Sequence, residues 1–168
     1  MKILFLVPLL ILGIPTEVSC REMRTLMVEN KAKFYVELAN DQSTRARGLM
    51  FRESLAECHG MWFDFSDTKV VSMWMKNTPM SLDIFFVSED LIIKHIIESA
   101  LPFSSALLKT EMPVRYALEV TSGAKNSYNI VVGDRIIISK NGHEGTAMTY
   151  KYPYERSGSA MCAQLKTN

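Results

Sequence analysis

Phe34-Tyr35-Val36-Glu37-Leu38-Ala39 decides how the rest of the chain is read. Phe34, Val36 and Leu38 alternate with Tyr35, Glu37 and Ala39. A period of two belongs to a strand that buries one face, because successive side chains leave opposite sides of the pleat. The same texture recurs at residues 60–65, 69–75, 82–87, 91–97, 116–120 and 135–139. Turn signals separate these runs: Ser88-Glu89-Asp90 is a hairpin connection, and Gly133-Asp134 turns the chain into Arg135-Ile136-Ile137-Ile138. The one helical candidate starts at Ser43 as N-cap, runs through Thr44 to Leu49, and is cut short by Gly48. Short strands at this spacing predict an all-β domain, a small β-barrel or sandwich with one or two short helical turns.

Outward from these strands, the two ends of the 168-residue chain have a different character. Lys2 precedes an apolar run over residues 3–14, interrupted by Pro8 and Gly13, and Val18-Ser19-Cys20 supplies a small-residue exit. This is the pattern of a secretory signal peptide over residues 1–20. The run falls short of the roughly 20 residues of a spanning helix, so no transmembrane segment is expected in the mature chain. Cys20 also stands where a bacterial lipoprotein carries its lipid, but Glu17 occupies a position that such proteins fill with an aliphatic residue. The reading is therefore a soluble exported protein, periplasmic or extracellular, with a form lipid-anchored at Cys20 as the alternative. Residues 21–139 read as one β domain, and residues 140–168 as a polar, poorly ordered tail. Cys58 and Cys162 remain once residues 1–20 are removed, and an oxidising compartment allows them to pair. A formal net charge of +1 gives no argument for nucleic acid or for an electrostatic membrane patch.

One stretch within the domain does more than a core strand needs. Trp74-Met75-Lys76-Asn77-Thr78-Pro79-Met80-Ser81-Leu82-Asp83 gathers an indole, an ammonium, an amide, a hydroxyl and a carboxylate around one proline. Pro79 fixes its own φ and pushes Thr78 toward an extended conformation, so the polar groups sit on a stiffened turn.

Four blocks together resemble the domain of unknown function 192 family of bacteria and archaea. They are Arg45-Ala46-Arg47-Gly48-Leu49-Met50-Phe51-Arg52, then Gly60-Met61-Trp62-Phe63-Asp64-Phe65, then Met73-Trp74-Met75-Lys76-Asn77-Thr78 with Leu82-Asp83-Ile84-Phe85-Phe86, and last Leu118-Glu119-Val120 followed by Gly133-Asp134. The resemblance spans residues 25–138. It implies a compact, mainly β domain, often behind a signal peptide in bacteria, and brings no accepted reaction, substrate or cofactor. Two departures stand out. Members often carry an Asp-Gly turn where this chain has Glu89-Asp90-Leu91, and the tail from Lys140 lies beyond the family's pattern.

The candidate ligand-binding residues are Arg45, Arg47, Trp74, Lys76, Asn77, Thr78, Asp83 and Glu119. Read functionally, the arginines and Lys76 grip an anionic or hydroxyl-rich ligand while Trp74 lies flat against a sugar ring. Read structurally, Arg47 pairs with Asp83 or Glu119 to close one end of the barrel, and Trp62 and Trp74 belong to strands, Trp62 in the core. Three functions follow. The preferred one is non-catalytic binding of a glycan or another cell-envelope component. A second is an envelope hydrolase using Asp83 and Glu119 as a carboxylate pair. A third is copper handling through His59, Met61, Met73, Met75 and Met80, set against a core role for the methionines. No catalytic residue, metal site or cofactor is assigned.

Overall fold

Residues 23–139 are described by the computed structural model; the expected signal peptide over residues 1–20, Cys20, Cys162 and the expected tail over residues 140–168 lie outside them. Strand dominates these residues: β1 (Met23–Val28), β2 (Ala32–Ala39), β3 (His59–Lys69), β4 (Ser72–Met73), β5 (Leu82–Val87), β6 (Ile93–Ala100), β7 (Leu108–Lys109), β8 (Val114–Thr121) and β9 (Ile136–Ile138). Two short helices, α1 (Gln42–Arg47) and α2 (Ala124–Ser127), complete the described elements. Seven strands form one sheet in the order β6-β5-β8-β3-β2-β1-β9, and β4 and β7 form a separate two-stranded ladder. All pairs in the large sheet are antiparallel except β2 with β3, which the crossover carrying α1 joins in parallel.

The sheet curls into a half-barrel. Its edge strands β6 and β9 meet at one end, through a bridge between Ile92 and Arg135. The Ile93 amide donates to Asp134 and the Ile136 amide to Leu91, at 2.9 and 2.8 Å. Lys31 holds the Asp134 carboxylate at 2.7 Å and steadies the turn at this seam. The expected choice between barrel and sandwich thus resolves in favour of a curled, partly closed sheet.

Two apolar clusters lie on its two faces. Every strand of the large sheet contributes to the inner one, including Leu26, Phe34, Trp62, Phe85, Leu118 and Ile136. The Trp62 ring stacks on Tyr116 there, with centroids 4.9 Å apart. Residues of opposite parity on β3, β5 and β8 build the outer cluster, among them Met61, Phe63, Ile84, Phe86 and Ala117. Loop residues Leu49, Leu55, Val71 and Met75 cover it. β5 serves both clusters, which is why all six of its residues are buried. β3 and β8 approach closely at Gly60, where a Cβ would stand 2.3 Å from the Glu119 carbonyl oxygen.

Several local expectations need correction. Of the expected strand at residues 69–75, Lys69 closes β3 and Ser72–Met73 forms β4, while Val70, Val71, Trp74 and Met75 lie outside both. The helix begins after Asp41, not Ser43. Asp41 accepts from the Thr44 amide at 2.9 Å, and Thr44 Oγ1 accepts from the Asp41 amide at 3.2 Å, a reciprocal box that fixes the first turn. Gly48 does end the helix, as C-cap with φ 48°. The strands β1 and β7 and the helix α2 were not anticipated.

Candidate functional site

Three connections leave the outer cluster and run side by side: residues 48–52, 74–81 and 101–107. Backbone hydrogen bonds tie them together. The Phe51 amide donates to the Asn77 carbonyl at 2.7 Å, the Phe103 amide to the Thr78 carbonyl at 3.0 Å, and the Met75 amide to the Ser104 carbonyl at 3.0 Å. The β4–β7 ladder, which pairs Met73 with Leu108, continues the same layer. Phe51, Asn77 and Phe103 all adopt left-handed backbone, with φ of 64°, 56° and 58°. Asn tolerates this conformation; a bulky aromatic seldom adopts it, so the two phenylalanines are held there by their surroundings.

Large apolar side chains on these loops face water. Phe51 is 70% exposed, Trp74 47%, Leu101 73%, Phe103 66% and Leu107 52%. Scattered exposed apolar residues are ordinary; these five lie together on adjoining loops that are tied to one another and form one apolar surface.

The structure divides the predicted residues between this surface and the scaffold. Trp74 and Lys76 are exposed on it, and Asn77 is half-buried with its amide nitrogen 3.9 Å from Met50 Sδ. Thr78 is buried beneath, and its amide closes the turn onto the Met75 carbonyl. Arg47 is exposed at the end of α1, just before the Phe51 loop. The expected pairing of Arg47 with Asp83 or Glu119 is absent among the described ion pairs. Arg45 instead donates to the Asn40 and Asp64 carbonyls at 2.6 and 2.8 Å, pinning α1 to β3. The pair that does form beside the loops is Arg52 with Glu37, two parallel bonds at 2.5 and 2.7 Å.

Asp83 and Glu119 are both buried and lie apart. In the antiparallel register of β5 and β8, Asp83 faces Val120 and Ile84 faces Glu119. Directly paired residues share a face, so the two carboxyls occupy opposite faces of the sheet. That geometry removes the carboxylate pair on which hydrolysis depended. Asp83 accepts from the amides of Ser99, Gly123 and Lys125 at 2.9, 3.1 and 2.9 Å, which fastens β6 and the start of α2 to the sheet end. Glu119 lies on the outer-cluster face between Met61 and Ile84. Burial alone pushes its carboxyl up to about 8, so it is protonated at neutral pH.

The sulfur groups fall into the core. Met61 and Met75 are buried, and Met73 and Met80 pack against the same outer cluster. His59 sits at the end of β3 against the Tyr35 ring, its Nδ1 2.9 Å from the Glu57 carbonyl. Cys58 is disulfide-bonded. The expected Cys58–Cys162 pair involves a residue outside the described ones.

Sequence reasoning missed Phe51, Leu101, Phe103 and Leu107 as surface residues. Apolar residues near Pro102 and Gly48 carried the only available signal, and it does not distinguish burial from exposure.

Comparison with known proteins agrees with this architecture. A protein from Sinorhizobium meliloti 1021, described as a proposed transcription regulator, is 36% identical over 70% of this chain and 95% of its own, with a TM-score of 0.66. A protein of unknown function from Novosphingobium aromaticivorans DSM 12444 is 30% identical over 68% of this chain and 83% of its own, with a TM-score of 0.63. No curated protein matches the chain. The family model described as uncharacterized ACR matches residues 25–138, nearly the whole sheet and the loops above it, and the chain belongs to this domain of unknown function 192 family.

Proposed function

We propose that the domain is a non-catalytic binding module of the cell envelope, and that its binding face is the layer of loops carrying Phe51, Trp74 and Phe103. One observation carries this reading: five large apolar side chains stay exposed on loops that backbone hydrogen bonds tie to one another. Burying them against the domain's own core would gain free energy, so their exposure suits a contact outside the chain. Trp74 with Lys76 and Asn77 combines an apolar ring with polar donors, as a face for a glycan or another envelope component requires.

An exported, periplasmic or extracellular setting belongs to the same proposal. The basic, apolar and small-residue sequence of residues 1–20 supports it, and so does a disulfide at Cys58, since such bonds persist in oxidising compartments.

Co-sedimentation with purified cell-wall glycan and with envelope membranes tests this reading. The wild-type chain is expected to pellet with at least one of them, and the F51S/W74A/F103S chain to stay in solution. Equal behaviour of the two chains would remove the loop face from the explanation.

A further inference from the structure

We infer that the loop face binds the surface of an anionic lipid bilayer; this rests on the binding reading above and names its ligand. The charge pattern of the three loops, together with the end of α1, the β4 segment and β7 that adjoin them, is the deciding observation. Residues 45–52, 70–82 and 101–110 contain Arg45, Arg47, Arg52, Lys76 and Lys109 and not one Asp or Glu. Glu53, Asp83 and Glu111 stand just outside these segments, and Asp83 is buried. Arg45 is spent on carbonyls and Arg52 on Glu37. Arg47, Lys76 and Lys109 remain exposed, with no carboxylate partner among the described residues.

Apolar residues flanked by cations of one sign suit the bilayer interface. Phenylalanine, leucine and tryptophan enter the boundary between headgroup and acyl chain, while lysine and arginine stay at the phosphate level. Each cation near an anionic leaflet adds to the attraction. A sugar polymer fits less well. Leu101 and Leu107 offer nothing to its hydroxyls, and the segments lack the carboxylates that would accept from them. A second copy of the chain would bring Arg47, Lys76 and Lys109 against their like. The net charge of +1 conceals this local excess, because carboxylates elsewhere on the domain offset it.

The two tryptophans make the test direct. Trp62 is buried and stacked, so a change in emission on adding vesicles reports Trp74. The full chain is titrated with phosphatidylcholine vesicles with and without phosphatidylglycerol, and with vesicles bearing brominated acyl chains. Expected are a blue shift and bromine quenching on the anionic vesicles, reversed by salt. The K76E/K109E chain, altered only at exposed positions, should need at least about tenfold more lipid. The F51S/L101S/F103S chain should lose the shift, with circular dichroism confirming its fold. Capture through residues 1–20 would pellet the chain without moving Trp74 emission, and that result overturns the inference. If Trp74 responds to cell-wall glycan and to neither vesicle, the lipid assignment falls and the binding reading stands. If Trp74 responds to none of these, both fall.

Discussion

The inner and outer faces of the sheet solve the same problem by different means. Strands fill the inner face from all sides, and where a carboxyl sits at its end, Asp83, three backbone amides surround it. Loops cover the outer face, and the buried carboxyl on that face, Glu119, is pushed toward its neutral form by desolvation. The contrast separates two duties of a small domain. The inner face and its polar anchor hold the fold, whereas the outer face carries features that stability does not call for: a carboxyl held in its neutral form and, on the covering loops, exposed aromatic side chains.

Replacing Asp83 by Ala should break the inner face most severely. Three buried amides would lose their acceptor, at a cost of about 4 kcal/mol in urea denaturation. A loss under about 1 kcal/mol would show that water replaces the carboxylate and that the anchor matters little. Gly60→Ala attacks the seam between β3 and β8. Its Cβ would meet the Glu119 carbonyl oxygen at 2.3 Å and Val120 Cγ1 at 2.9 Å, a clash with backbone that should cost about 2–3 kcal/mol.

The outer face should reveal itself through pH. A carboxyl with a folded pKa above its unfolded value contributes stability that is complete below the unfolded pKa and is lost as pH rises toward the folded one. For Glu119 the window runs from its ordinary 4.5 to about 8. Stability should fall across it with a slope approaching one proton, on the order of 1 kcal/mol per pH unit. Asp41, Asp90 and Glu98 are held below their ordinary values by hydrogen bonds and act in the opposite sense, on the acid side of this window. Denaturation midpoints between pH 5 and 8 should decline for the wild type and flatten for Glu119→Gln, which keeps the shape without the charge. Parallel declines in both chains would place the titration elsewhere.

The smallest expected effect sharpens the contrast. Phe51→Ser and Phe103→Ser should change stability by less than about 0.5 kcal/mol, since both side chains are largely exposed. A loss above about 2 kcal/mol would mean that these residues serve the fold after all.

The inner face was legible in the sequence because period-two alternation records which side of a strand meets the core. Phe34-Tyr35-Val36 carries that record, with Phe34 and Val36 in the inner cluster. The outer layer was not. Val70, Val71, Met73, Trp74 and Met75 read as one strand by composition, yet Val71 and Met75 are buried while Val70 and Trp74 face water. Hydrophobicity reports affinity for a nonpolar environment and is silent on whether the chain or a partner supplies it. Helix α1 was misplaced by two residues because Asp41 and Ser43 are both good N-caps, and only the reciprocal bond with Thr44 decides between them. The position of Asp83 and Glu119 on opposite faces follows from the register of β5 against β8, a long-range pairing that local patterns do not encode.

The pairing of β1 with β9 has a consequence for how the chain folds. It aligns Leu26 with Ile138, and the Ser139 amide donates to Thr25 at 3.0 Å, so the two ends of the described domain lie in adjacent antiparallel strands. Closing that contact requires ordering nearly the whole intervening chain, the kind of distant pairing that slows folding. A short hairpin linking Ser139 to Met23, with new ends opened at the Glu89-Asp90 tip, would turn the most distant contact into the most local one. Such a circular permutant should keep the half-barrel and reach it faster.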